Sequence, residues 1–177
     1  NLVLGECAVN RDPAAEALAA IAVKTAKVAE TFGQRPRVAM LSFADFGEMH
    51  DHPQVVKVRK ASEIVREARP DLEIDGEMQA DTAIDWDKMS ENFPFTTLSG
   101  LPNVLVFPNL TAANIAYKIL DKLSDAEALV QLVVGLYEPV NVIPVHASVA
   151  EIVNVATYTV NPALRGSRTE RVLRILF

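Results

Sequence analysis

The chain has 177 residues, half of them hydrophobic and 23% charged, which suits one large domain, or a domain with an appendage, that folds without disulfide staples. Twenty-three acidic against 17 basic residues leave a formal net charge of -6, so the phosphate-neutralising surface that nucleic acid requires is missing. No run approaches the roughly 20 apolar residues of a membrane span, and the single cysteine, Cys7, has no internal partner, so a cytoplasmic protein binding neither nucleic acid nor membrane is expected.

Leu2 to Leu4 reads as a short strand, and its apolar opening at Asn1 suggests a start inside a longer polypeptide. Asp12 as cap and Pro13 at the first helical position announce a helix of about 19 residues with Leu18, Ile21, Ala22, Thr25, Val28, Ala29 and Phe32 on one face. Gly33 is placed to end it in a left-handed conformation. Val38 to Phe43 follows as a strand. A loop rich in acids and histidine then leads to Pro53, and a helix runs to Arg69 with Val55, Val58, Ala61, Val65 and Ala68 inward. Leu72 to Asp75 is a third strand. Gly76 to Leu101 is irregular apart from a short helix around Trp86 to Asn92.

The stretch that organises the chain is Asn103 to Leu123. Val104, Leu105, Val106 and Phe107 form an uninterrupted apolar run, the mark of a strand covered on both faces and therefore central. Asn109 or Thr111 can cap the next helix, whose Ile115, Ala116, Ile119, Leu120 and Leu123 share one face. Strand, turn and amphipathic helix make half a βαβ unit, and ligands of open α/β sheets bind beyond the carboxyl ends of the strands. Asn109 to Asn114 is therefore a candidate anion site. A helix from Asp125 to Leu136, a strand from Val140 to Ile143 and a helix from Ser148 to about Val160 follow, the last opening on a Ser148–Glu151 capping box. From Asn161 the pattern breaks into an arginine-bearing extension.

Chemistry has few places to sit. His50-Asp51-His52 could offer two metal ligands, but a site needs three or four, so a surface loop is expected and no metal is assigned. Cys7 and His146 lack any triad motif around them. The seven glycines fit neither a dinucleotide nor a phosphate-loop pattern. Glu77 and Asp81 follow a strand, either as carboxylates aimed into a cleft or as a solvated turn with a helix cap.

Three stretches resemble a known family. Gly76-Glu77-Met78-Gln79-Ala80-Asp81-Thr82-Ala83, Asn103 to Leu110 with Ala113 to Lys118, and Ser148-Val149 with Ile152-Val153-Asn154 resemble phosphotransacetylases. Leu41-Ser42-Phe43 and Phe93 to Leu98 look most like the C-terminal domain of bacterial NADP-dependent hybrid malic enzymes. The resemblance covers Cys7 to about Thr159. It implies a three-layer, mostly parallel α/β fold like that of isocitrate and isopropylmalate dehydrogenases. Residues 1–141 would be the second, dimerising domain, and 142–177 a return to a truncated first domain plus an extension.

The departures from the family pattern set the functional expectation. The loop that in active relatives resembles Asn-Asp-Leu-Ser-Arg-Gly-Cys-Ser-Val-Glu-Asp-Ile-Val-Asn is Asn141 to Asn154 here, with Pro144 for the serine, Val145 for the arginine and Glu151 for the final aspartate. Proline has no hydroxyl and valine cannot clamp an oxyanion. Asp45 and Glu48 are acidic where the family has Ser, Thr and Gly. The expectation is a non-catalytic regulatory and oligomerisation domain of a hybrid malic enzyme, a homodimer or higher homo-oligomer sensing acetyl-CoA weakly or not at all. An active phosphate acetyltransferase is the alternative. The degenerate cleft would gather Ser42, Asn109, Thr111, Asn114, Pro144, Val145 and Glu151, with no catalytic residue. This fragment would hold no cofactor, acetyl-CoA would be an effector, and NADP and a divalent metal would belong to a parent catalytic region.

Overall fold

The computed structural model describes residues 2–6, 9–124, 132–136, 138 and 140–161, which divide into two compact units, Asn1–Ile119 and Leu120–Phe177. The first holds β1 (Val3–Gly5), α1 (Ala15–Thr31), β2 (Arg37–Leu41), α2 (Pro53–Ala68), β3 (Glu73–Met78), α3 (Ala80–Ile84), α4 (Trp86–Asn92), β4 (Val104–Val106) and most of α5 (Leu110–Leu123). The four strands form one sheet in the order β1-β4-β2-β3, every pair parallel. The three-layer α/β expectation holds, and the sheet is parallel throughout.

β4 is central, as its apolar run requires. Val104 and Val106 pack with α1 and α2 residues such as Leu18, Ala22 and Val58. Leu105 and Phe107 enter a second cluster with Met78, Met89, Leu98 and Ala113. Alternate side chains of one strand thus serve two cores, because successive Cβ atoms point to opposite faces. Asn103 fixes the entry of this strand. Its side chain accepts from the Arg37 N–H at 2.8 Å and donates to the Arg35 carbonyl at 2.9 Å, while its carbonyl accepts from Val3.

Several boundaries differ from the sequence reading. α1 begins at Ala15 behind Ala14, with no side-chain cap, because Asp12 is engaged by Lys57 instead. Gly33 ends the helix at φ +73, as expected. The Gly33 and Gln34 N–H groups return to the carbonyls of Glu30 and Ala29. β2 stops at Leu41, two residues short of Phe43. β3 runs on past Asp75, where the sequence reading ended it, through Glu77 to Met78. Both carboxylates are buried, and they are tolerated there because Arg66 and Arg59 reach them from α2. The ladder pairs Met40 with Gly76 and then Leu41 with Met78, so Glu77 is the extra residue of a bulge. The bulge sends Met78 into the second core and leaves Glu77 facing α2.

α5 contradicts its predicted inward face. Ile115, Ile119, Leu120 and Leu123 are exposed, and the helix seats its small residues on the second core instead, Ala113 fully and Ala112 and Ala116 in part. Alanines bring the helix backbone close to the sheet, which turns the larger residues outward.

In the second unit α6 (Val149–Val160) carries the expected capping box: the Ser148 hydroxyl accepts from the Glu151 N–H and the Glu151 carboxylate accepts from the Ser148 N–H. Residues 132–136 and Val140 to Ile143 are irregular, so neither the end of the predicted Asp125–Leu136 helix nor the last strand forms. Residues 125–131 of that helix, Cys7 and the extension from residue 162 lie outside the described residues. Asn141 explains the missing strand in part. Its amide accepts from the Val133 N–H and donates to the Thr159 hydroxyl, tying the segment to α6 through a side chain rather than through a ladder.

Candidate functional site

Since all four strands are parallel, the loops that follow them emerge at one edge of the sheet, where α/β proteins bind ligands. β4 pairs with β2 through Val106 and Met40, so Ser42 and the Pro108–Asn109 turn leave the sheet side by side. Ser42 is half-buried, its N–H donating to the Met78 carbonyl at 2.8 Å. Asn109 is the cap of α5: its side chain accepts from the Ala112 N–H at 3.0 Å and its carbonyl from Ala113. Thr111, the other capping candidate, is an exposed residue of the first helical turn, and Asn114 is half-buried one turn on. The Leu110 N–H donates to the Arg11 carbonyl. Two of the N–H groups that the start of α5 leaves without a helical partner, those of Leu110 and Ala112, are therefore already bonded within the chain, which reduces what this helix start offers an anion.

The β1 and β4 loops are joined by one ammonium. Lys57, near the start of α2, places Nζ 2.5 Å from Asp12 Oδ1 and 3.0 Å from the Pro108 carbonyl. The β1 loop is held independently by the buried Glu6, which accepts from the Val9 and Asn10 N–H groups and from the Asn10 amide.

The acidic residues of this edge are mostly spent on structure. Asp45 is buried and accepts from the Gln79 N–H, the Gln79 amide and the Thr82 hydroxyl. The Glu48 carboxylate accepts from the Asp45 N–H. Asp45 and Glu48, acidic where the resemblance implies Ser, Thr and Gly, thus turn carboxylate oxygens to donors within the chain. Glu77 is likewise no free base in a cleft. Burial pushes its carboxyl up, yet hydrogen bonds from Arg59 and the Gly47 N–H outweigh burial, and the group titrates below the ordinary glutamate range. Asp81 is exposed and held below its ordinary value by Lys88, 2.6 Å away. His52 accepts from the Gln54 N–H as the cap of α2 and lies edge-on to Phe43 at 4.8 Å. Among the described residues no three His, Cys, Asp or Glu side chains converge to hold a metal. No described helix is long and apolar enough to cross a membrane.

Pro144, Val145 and Glu151 lie together in the second unit. The Pro144 carbonyl accepts from Ala147, closing a turn that leaves Val145 96% exposed. Hydrogen bonds from the Ser148 N–H and hydroxyl hold the Glu151 carboxyl below its ordinary value. The structure thus gathers Ser42, Asn109, Thr111 and Asn114 on one sheet edge, and Pro144, Val145 and Glu151 around one turn. Sequence reasoning missed Lys57, Arg59 and Arg66. Their only signal was their place on the polar face of α2, which reads as solvated.

Comparison with known proteins agrees with this architecture. Residues 1–160 match the family model described as phosphate acetyl/butaryl transferase. The phosphate acetyltransferase of Clostridium acetobutylicum is 41% identical over 166 residues, covering 93% of this chain and 50% of that protein. That of Thermoanaerobacterium thermosaccharolyticum is 42% identical over 158 residues, covering 89% of this chain and 48% of that protein. The EutD phosphotransacetylase structure from Staphylococcus aureus superposes with a TM-score of 0.84 at 38% identity, over 92% of this chain and 50% of its own. The chain spans about half the length of these relatives. With its parallel sheet, a family match over residues 1–160 and 41% identity over 93% of its length to a named relative, the chain belongs to the phosphate acetyl/butaryl transferase family.

Proposed function

We propose that the protein carrying this chain moves an acetyl group between CoA and phosphate. A phosphate oxygen attacks the thioester carbon of acetyl-CoA, the C–S bond breaks, and acetyl phosphate and CoA leave. The observation that carries the reading is the match of nearly the whole chain, at 41% identity, to a protein named phosphate acetyltransferase. Ser42, Asn109, Thr111 and Asn114, on the sheet edge of the first unit, are the residues through which it would hold its ligand. The test is thioester formation from acetyl phosphate and CoA by the full-length protein. Turnover that falls when Asn109 or Glu151 is replaced supports the reading, and turnover at background refutes it.

A second reading rests on a specific observation: Pro144 and Val145 stand where the resemblance implies the serine and arginine of acyl transfer, and Val145 presents only an exposed apolar side chain. On this reading the chain is a non-catalytic regulatory and oligomerising domain of a hybrid malic enzyme. The parent would oxidise malate with NADP and a divalent metal held elsewhere, and acetyl-CoA would act as an effector. Binding of acetyl-CoA without turnover, together with malate-dependent reduction of NADP by the parent, would favour it. Self-association belongs to both readings. Sedimentation at micromolar concentration should show a species larger than one chain, and a monomer alone would exclude that part.

A further inference from the structure

The geometry points to Lys57 as a positioning residue that sets the β4–α5 turn against the β1–α1 loop at the sheet edge, and through that turn controls how tightly acetyl-CoA or acetyl phosphate is held. The inference rests on the functional reading above for its ligand, but its structural half stands on this chain alone.

Lys57 bonds to both loops. It rises from α2 with only 13% of its side chain exposed. One N–H meets the Asp12 carboxylate in the β1–α1 loop, and another meets the Pro108 carbonyl in the turn that precedes the Asn109 cap. A charge-assisted bond is stronger than its neutral counterpart, and of the two the half-buried one to the Pro108 carbonyl is the better shielded, since the Asp12 carboxylate is exposed. The two segments also meet at two uncharged bonds, from the Leu110 N–H to the Arg11 carbonyl at 3.2 Å and from the Phe107 N–H to the Gly5 carbonyl at 3.4 Å. Both are long. Without the ammonium they are the direct backbone ties that remain, and the Pro108 carbonyl loses its donor. Asn109 and Thr111 follow Pro108 directly, so a shift of the turn moves both. Ligand contacts at a strand edge depend on such placement to within a fraction of an ångström.

A structural role alone would lower the melting temperature and leave ligand affinity untouched. The experiment therefore compares Lys57→Met, Lys57→Arg and the milder Asp12→Asn in the full-length protein, reading hydrogen exchange at the Leu110 amide and acetyl-CoA affinity by calorimetry. Lys57→Met should speed Leu110 exchange and weaken acetyl-CoA binding about tenfold each, a change of about 1.4 kcal/mol. Lys57→Arg, which keeps charge and donors, should restore most of both, and Asp12→Asn should fall between. A lower melting temperature with unchanged exchange and affinity overturns the inference. If the unsubstituted protein neither binds nor turns over acetyl-CoA, the functional reading fails on its own. Leu110 exchange then decides the clamp, and equal protection in Lys57→Met and the parent refutes it.

Discussion

Replacing Arg59 by methionine isolates the most consequential charge in the first unit. Glu77 is 2% exposed, and its carboxylate takes Arg59 Nη2 at 2.6 Å and Nε at 3.0 Å, a bidentate pairing, with the Gly47 N–H adding a bond at 2.9 Å. Methionine keeps the aliphatic packing of the stem but removes the counter-charge. Removing one partner of a buried pair costs about 3–5 kcal/mol. The lower end, about 3 kcal/mol, applies here, since the Gly47 donor remains and the Arg59 side chain is 28% exposed. For a chain of this size that lowers the melting temperature by roughly 6–12 °C. The pH dependence has a definite sign. In the parent, the Glu77 carboxyl is held below its unfolded value, so its contribution is complete above the ordinary glutamate range and is lost as pH falls through the depressed value. In Arg59→Met burial dominates and the carboxyl moves up. The variant should therefore be most impaired at neutral pH, and the gap should narrow as the solution is acidified. Urea titrations at several pH values measure both effects, and Arg59→Met/Glu77→Gln should recover part of the loss. A loss under about 1 kcal/mol at neutral pH with unchanged denaturant slope, or a gap that does not vary with pH, would refute the reasoning.

Gly76→Ala should cost at least about 2 kcal/mol, because φ is +133 and a Cβ there would lie 2.5 Å from the Met40 carbonyl oxygen. Gly33→Ala, with nothing within 4 Å of its Cβ, should cost only about 1 kcal/mol in the same thermal melts, and equal losses would mean that the Met40 contact is unimportant. Ser148→Ala removes the hydroxyl that accepts from Glu151 and should speed amide exchange in the first turn of α6, with a cap loss of about 1 kcal/mol. Exchange that stays at the parent's rate would show that the box contributes nothing. Val145→Arg in the full-length protein should tighten acetyl-CoA about tenfold or more, since a charge-assisted contact is worth about 1.5–3 kcal/mol. Calorimetry showing no change would place the ligand away from the Pro144 turn.

The sequence alone determined what depends on short-range pattern. The two-faced burial of Val104 to Phe107, the left-handed stop at Gly33 and the Ser148–Glu151 box follow from periodicity and local hydrogen bonding, which a dozen residues contain. The family motifs were legible for the same reason: they are contiguous. Only the tertiary structure decided where charges go. Glu77 could extend the strand that the sequence ended at Asp75 because Arg59, 18 positions earlier, covers it, and Arg66 covers Asp75 in the same way. Asp12 left its helix-capping role because Lys57, 45 residues away, competes for it. The outward turn of Ile115 and Ile119 was decided by the fit of Ala112, Ala113 and Ala116 against the sheet. A helical face can be drawn from spacing, but which face the core accepts depends on the shape of the surface it meets, and that surface is assembled from distant parts of the chain.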